Sequence, residues 1–225
     1  MKTMIITGAG SGLGKELAHL FSQQGFHLLL TGRTITKLTT ARDEIIAHGG
    51  KADILPFDIQ NADDVSKKIE EISHTYSICG LVNNAGVGHF GPFVDIDEQH
   101  MAEMINTNVL GTLLLTKAVL PHVLKNPDGR IINIISTAGL RGKVNEAVYV
   151  ASKFAVRGFT ESLQKEYEDQ NIKITAVYMG GMDTPFWDHS DHVQDPSRFR
   201  TPREVAEMIM EQIDEDSIII ESKKS

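Results

Sequence analysis

The sequence predicts an α/β fold, a doubly wound and mostly parallel sheet of about seven strands with helices on both faces. Three observations carry this. Short apolar runs alternate with longer amphipathic ones along the chain, the pattern of successive βα units. A glycine-rich turn joins the first apolar run directly to the first helical one. No repeat, low-complexity tract or linker divides the 225 residues, so one domain is expected over residues 1–225.

Each element has its own signal. Strands are expected at residues 4–7, 27–31, 52–57, 80–83, 130–135, 173–178 and 217–221, short runs dominated by Ile, Leu and Val. Helices are expected at 13–24, 36–48, 63–75, 99–124, 148–170 and 202–213. Gly25, Gly49-Gly50 and Asn126-Pro127-Asp128-Gly129 supply helix-stop or turn chemistry between them. Stretches 87–97, 137–146 and 180–201 are irregular. All three follow a strand and so emerge at the carboxyl edge of the sheet, where open α/β sheets bind ligands. The 180–201 stretch is read as a substrate loop.

Composition narrows the function classes. Hydrophobic residues make up 41% and charged residues 23%, an ordinary globular balance. The net charge is -8 and Lys223-Lys224 is the only basic cluster, which argues against nucleic acid as a partner. Cys79 is the only cysteine, in the strand-like run Ile78-Cys79-Gly80, and reads as a buried thiol with no disulfide or thiolate-zinc role. His189 and His192 flank carboxylates in Asp188-His189-Ser190-Asp191-His192, but no further ligand pair accompanies them, so no metal is expected. No apolar run approaches the roughly 20 residues of a membrane span, and a glycine interrupts the N-terminus before a signal-length run develops. A cytoplasmic location is the expectation.

Thr7-Gly8-Ala9-Gly10-Ser11-Gly12-Leu13-Gly14 lies between the first strand and the first helix. Glycines there permit a tight turn and let backbone N–H groups and the helix N-terminus approach a pyrophosphate. Glu16 follows Gly14-Lys15 where a magnesium-binding Ser or Thr would stand in a P-loop, so nucleoside triphosphate hydrolysis is not indicated. At the end of the second strand, Leu30-Thr31-Gly32-Arg33-Thr34 lacks the carboxylate that receives the ribose 2′-hydroxyl of NAD. Arg33 suits a 2′-phosphate instead, which favours NADP(H) over NAD(H).

Tyr149 and Lys153, four residues apart on a predicted helix, share one face, with Ser136 thirteen residues upstream of the tyrosine. An ammonium beside a phenol favours phenolate. A free tyrosine titrates near 10, so a fall of roughly 3 units, about 4 kcal/mol, would bring it into range. One ammonium about 4 Å away supplies on the order of 4 kcal/mol at an effective dielectric of about 20. Lys153 is therefore expected to lower Tyr149, making it an acid and base near neutral pH. Ser136 is placed to donate a hydrogen bond to a substrate oxygen.

These motifs together resemble the short-chain dehydrogenase/reductase family. Thr7-Gly8-x-x-x-Gly12-x-Gly14 resembles its cofactor turn, Asn83-Asn84-Ala85-Gly86 the segment after its fourth strand, and Ser136 with Tyr149-x-x-x-Lys153 its catalytic set. The resemblance implies a Rossmann-like domain and a catalytic group of Asn108, Ser136, Tyr149 and Lys153. It implies that Asn108 positions a water leading protons to Lys153, and that Lys153 holds the nicotinamide ribose. The implied cofactor-binding residues are Thr7, Gly8, Gly10, Ser11, Gly12, Leu13, Gly14, Arg33, Asp58, Ile59, Asn84, Ala85, Gly86, Tyr149, Lys153, Gly180 and Thr184. The chain departs at Met179-Gly180, where the family commonly has Pro-Gly; a φ constraint is lost while Gly180 and Thr184 remain.

The expected function is NADPH-dependent carbonyl reduction, reversible as alcohol oxidation, by an enzyme that the resemblance makes a homodimer or homotetramer. Two rivals stand beside it. A nucleotide-sensing protein would bind NADP(H) without turnover, and an epimerase or dehydratase on the same scaffold would show no net change in the cofactor. Phe186 and Trp187 would line the substrate cavity or pack the loop. Leu140, Arg141, Lys143 and Asn145 lie where substrate would touch them, and Arg141 with Lys143 hints at an anionic group.

Overall fold

The computed structural model describes residues 1–188 and 192–223. Seven strands, β1 (Lys2–Thr7), β2 (His27–Thr31), β3 (Lys51–Ile54), β4 (Ser77–Asn83), β5 (Gly129–Ile134), β6 (Ile172–Met179) and β7 (Ser217–Ile220), form one sheet. Their order is β3-β2-β1-β4-β5-β6-β7, and every pairing is parallel. The expected "mostly parallel" sheet is thus wholly parallel among the described residues. The order reverses direction between β1 and β4, which opens a crevice beyond their carboxyl ends.

Strand alternation sorts the core into two layers. Met4, Ile6, Leu28 and Leu30 face α1 (Gly12–Gln23), α2 (Ile35–Ala47) and α7 (Pro202–Glu211), through Leu17, Phe21, Leu38, Ile45 and Ile209. Ile5, Leu29, Leu81 and Ile131 point the other way, into α3 (Ala62–Ser73), α5 (Thr112–Val123) and α6 (Ala147–Glu166). Both faces of the sheet are buried, which is why these strands read as continuous apolar runs.

Two expectations need correction. The strand expected at 52–57 ends at Ile54; Leu55 gives one last backbone bond to Leu30, then Pro56 removes a ladder donor and the chain leaves the sheet. The helix expected at 99–124 is three pieces: α4 (Glu98–Met104), a π-helical turn (Ile105–Gly111), and α5. Hydrophobic periodicity does not reveal a π-turn, because the extra residue shifts the phase without interrupting the apolar face. Asn108 lies within that turn.

Candidate active site

The glycine turn closes over the carboxyl end of β1. Gly8 and Gly12 adopt φ of 64° and 53°, left-handed values that a side chain resists. Helix α1 starts with no acidic residue in its first turn and no side-chain cap, so its leading N–H groups face outward unneutralised. Thr7 fastens the turn from behind: its hydroxyl accepts from the N–H groups of Asn84 (2.9 Å) and Ala85 (2.8 Å) and donates to the Val82 carbonyl (3.3 Å). Asn84 returns a bond from Nδ2 to the Thr7 carbonyl (2.9 Å). A Cβ at Gly14 would lie 2.5 Å from Asn84 Nδ2, so this glycine is required by packing.

A cavity of about 540 Å³ runs from this turn, along Gly8, Ser11, Gly12 and Leu13, to Ser136, Tyr149 and Lys153. Asn84, Ala85, Gly86, Gly180 and Thr184 also border it, Thr184 covering Gly12 with a gap that a Cβ would narrow to 3.3 Å. A second cavity of about 140 Å³, lined by Thr7, Asp58 and Ile59, adjoins the first through Gly8, Arg33, Ala85 and Gly86. Gly10 and Gly14 border neither cavity and act on the turn's shape. Thr31 Oγ1, in the second cavity's wall, is the buried side-chain polar atom without a hydrogen-bond partner among the described residues. An elongated cleft with an uncapped helix N-terminus at its middle and an orphan hydroxyl at one end fits a dinucleotide.

At the other end, α6 carries Tyr149 and Lys153, both buried, with Lys153 Nζ 5.6 Å from the phenol ring centre. Lys153 Nζ donates to the Ile134 carbonyl at 3.2 Å. Ser136 follows β5 at φ 99° and ψ 150°, a region nearly reserved for glycine, at a cost of about 1–3 kcal/mol. The Ser136 hydroxyl accepts from Ala138 N–H at 3.2 Å and borders the same cavity as Tyr149.

The expected lowering of the phenol is not what the protein's own groups produce. Burial pushes Tyr149 far above its ordinary value; the Ser136 hydroxyl pulls it back and the Glu146 carboxylate raises it further. Burial also pushes Lys153 down, to about 8. The cost of burying a phenolate here exceeds the pull an ammonium would exert at surface dielectric. The protein alone therefore holds Tyr149 as a proton donor.

Asn108 is committed to holding the site together. Its Oδ1 accepts from Val87 N–H (2.8 Å), and its Nδ2 donates to Val87 O (2.9 Å) and to Ser152 Oγ (3.0 Å). Its carbonyl accepts from the Thr112 hydroxyl (2.9 Å). A Cβ at Gly86 would lie 3.3 Å from Asn108 Oδ1 and 3.6 Å from Lys153 Nζ, so the two side chains flank a glycine that keeps the gap open.

Other residues separate into those that reach the cavity and those that do not. Arg33 borders both cavities, is 68% exposed, and pairs with Glu103 of α4 at 3.4 Å. Arg141 turns away and makes a two-point contact with Glu221 (3.0 and 2.8 Å), which removes half of the expected anionic hint. Lys143 does line the cavity, 3.9 Å from Glu146. Phe186 and Trp187 line it too, beside Phe90, which meets Tyr149 edge-on at 5.4 Å. His192 reaches Glu146 at 3.1 Å and stacks on Phe90; His189 lies outside the described residues. No cluster of metal ligands occurs among the described residues. Sequence reasoning missed Lys37, Glu146, Phe199 and Ser222, all cavity-lining. Glu146 was findable: a carboxylate three residues before the tyrosine sits within one turn of it.

The fold and cleft define a dinucleotide-dependent α/β oxidoreductase. Residues 2–195 match the short chain dehydrogenase family, and the chain belongs to that family. It is 34% identical over 196 residues to the sepiapterin reductase of Chlorobaculum tepidum, covering 84% of this chain and 80% of that one. It is 31% identical over 218 residues to the 3-oxoacyl-(acyl-carrier-protein) reductase of Thermotoga maritima, covering 93% and 89%. A short chain dehydrogenase from Escherichia coli CFT073, solved with NADPH, superposes with a TM-score of 0.90 at 26% identity over 99% of this chain and 97% of that one.

Proposed function

We propose that the protein is an NADPH-dependent carbonyl reductase in which Tyr149 is the proton donor. The observation that carries this is the buried Ser136–Tyr149–Lys153 group at one end of a cleft that passes an uncapped helix N-terminus at its middle and reaches Arg33 toward its other end. When bound in this cleft, the nicotinamide would supply the hydride that the carbonyl carbon gains. Ser136 steadies the carbonyl oxygen with a hydrogen bond, and Tyr149 delivers the proton that the oxygen must gain. Because burial keeps the phenol protonated through neutral pH, the side chain is poised for reduction. Lys153, with its value near 8, stands beside Tyr149 as the group that can restore that proton. Asn108 holds Val87 and Ser152, and so positions the walls on either side of Lys153.

Arg33 and Lys37 border the cleft next to the second cavity, which supports a 2′-phosphate and hence NADP(H) over NAD(H). The NADPH held by the Escherichia coli relative agrees with that choice. Asp58 and Ile59 would receive the adenine, Gly180 and Thr184 the nicotinamide side. Phe186, Trp187 and Phe199 favour a carbonyl with an apolar flank. A cytoplasmic location is part of this reading, resting on a lone, buried cysteine.

The experiment is Tyr149→Phe, assayed for carbonyl-dependent oxidation of NADPH. Activity is expected to fall by about 10²–10⁴ with NADPH affinity within about threefold of wild type. Undiminished turnover on an accepted carbonyl would refute the assignment.

A further inference from the structure

Arg33 does not face the cleft unaccompanied. Its Nη1 lies 3.4 Å from Glu103 Oε1, and the other carboxylate oxygen, Oε2, is held by His89 Nε2 at 2.9 Å. His89 stacks on the His100 ring at 3.8 Å, and His100 Nδ1 sits 3.0 Å from Asp97. Glu103 is thus fixed from behind by groups of α4 and the loop after β4, and its carboxyl is held below the usual range first by His89. A carboxylate near the ribose 2′ position is the feature that β2 lacks at its own end. Here α4 supplies one, against the very arginine that would take a 2′-phosphate.

We propose that Glu103 is a specificity-determining positioning residue: by occupying Arg33 it lowers the affinity for a 2′-phosphate and leaves the site tolerant of both nicotinamide cofactors. This rests on the reading of Arg33 given above. A 2′-phosphate approaching Arg33 must share that guanidinium with a fixed anion and meets the anion's repulsion, whereas a 2′-hydroxyl meets neither cost. Lys37, the other cleft-lining cation on this side, offsets part of that repulsion. The wild-type preference for NADPH is accordingly narrow.

The test measures NADPH and NADH binding to the full chain by quenching of Trp187, the only tryptophan, which lines the cleft. Glu103→Gln is expected to tighten NADPH by about three- to tenfold and to leave NADH within about twofold. Glu103→Asp should stay near wild type, and the gain should shrink as salt rises. In an Arg33→Ala background the same Glu103→Gln change should give no gain. Unchanged or weaker NADPH binding in Glu103→Gln, or a gain that survives Arg33→Ala, would overturn the proposal while leaving the Arg33 reading intact. If Arg33→Ala alone leaves the NADPH to NADH ratio unaltered, Arg33 does not read the phosphate, and this inference falls with it.

Discussion

Lys153 is the residue whose burial has the clearest thermodynamic consequence. Its value of about 8 in the folded chain lies below the ordinary 10.5. Below pH 8 the lysine is charged in both states, and the folded state bears the full cost of burying it. Between pH 8 and 10.5 the unfolded chain holds more protons, so this contribution to stability climbs with pH. The whole difference is on the order of 3 kcal/mol. Tyr149, raised above 10, acts in the opposite sense only from about pH 10 upward. Urea midpoints of wild type and Lys153→Met between pH 8 and 10 should therefore converge, the wild type gaining on the variant as pH rises. Parallel pH profiles would mean that the ammonium is not desolvated in the fold.

At the scale of elements, the sheet and its helices are tied by a chain of buried amides and hydroxyls. Asn83 on β4 donates through Nδ2 to Thr116 Oγ1 on α5 (2.9 Å) and to Asn133 Oδ1 on β5 (2.8 Å). Asn133 Nδ2 donates to Thr160 Oγ1 on α6 (2.9 Å), which donates to Val156 O (2.7 Å). The chain runs across β4 and β5 to the helix that carries Tyr149 and Lys153, so it sets that helix's depth against the strands. Asn133→Ala removes the central link: Asn83 keeps Thr116 and Thr160 keeps Val156 O, but each loses a buried partner. A loss of about 2–3 kcal/mol in denaturant unfolding is expected. Because NADPH contacts none of these residues in the proposed reading, its dissociation constant should change far less than the stability. A variant as stable as wild type would show the network to be dispensable.

For the whole molecule, the outer faces of the π-turn and α6 leave Ile105, Leu110 and Phe154 about two-fifths exposed. Within the π-turn Ile105 and Leu110 are exposed while Asn108 is buried. We expect a homo-oligomer built on this face. Light scattering should give a mass of two or four chains, and Leu110→Glu with Phe154→Glu should reduce it to one. No helix among the described residues is long and apolar enough to cross a membrane.

Much of the molecule is written locally. The five inner strands follow from apolar runs that are buried on both faces, and the glycine turn follows from backbone angles that only Gly8 and Gly12 accept readily. The pairing of Tyr149 with Lys153 follows from helical spacing, since four residues make about one turn. What required the assembled chain were quantities summed over distant segments. Tyr149 is raised because strands, loops and Glu146 close around it, a desolvation that no spacing encodes. Asn108 is drawn into a π-turn and onto Val87 and Ser152, and Arg141 is carried off by Glu221, 80 positions away. Arg33 meets Glu103 across 70 residues, so the charge that would greet a 2′-phosphate is set by a partner its own strand could not announce. Backbone geometry and periodicity are properties of neighbours in sequence; electrostatics and burial are properties of neighbours in space, and only folding brings those together.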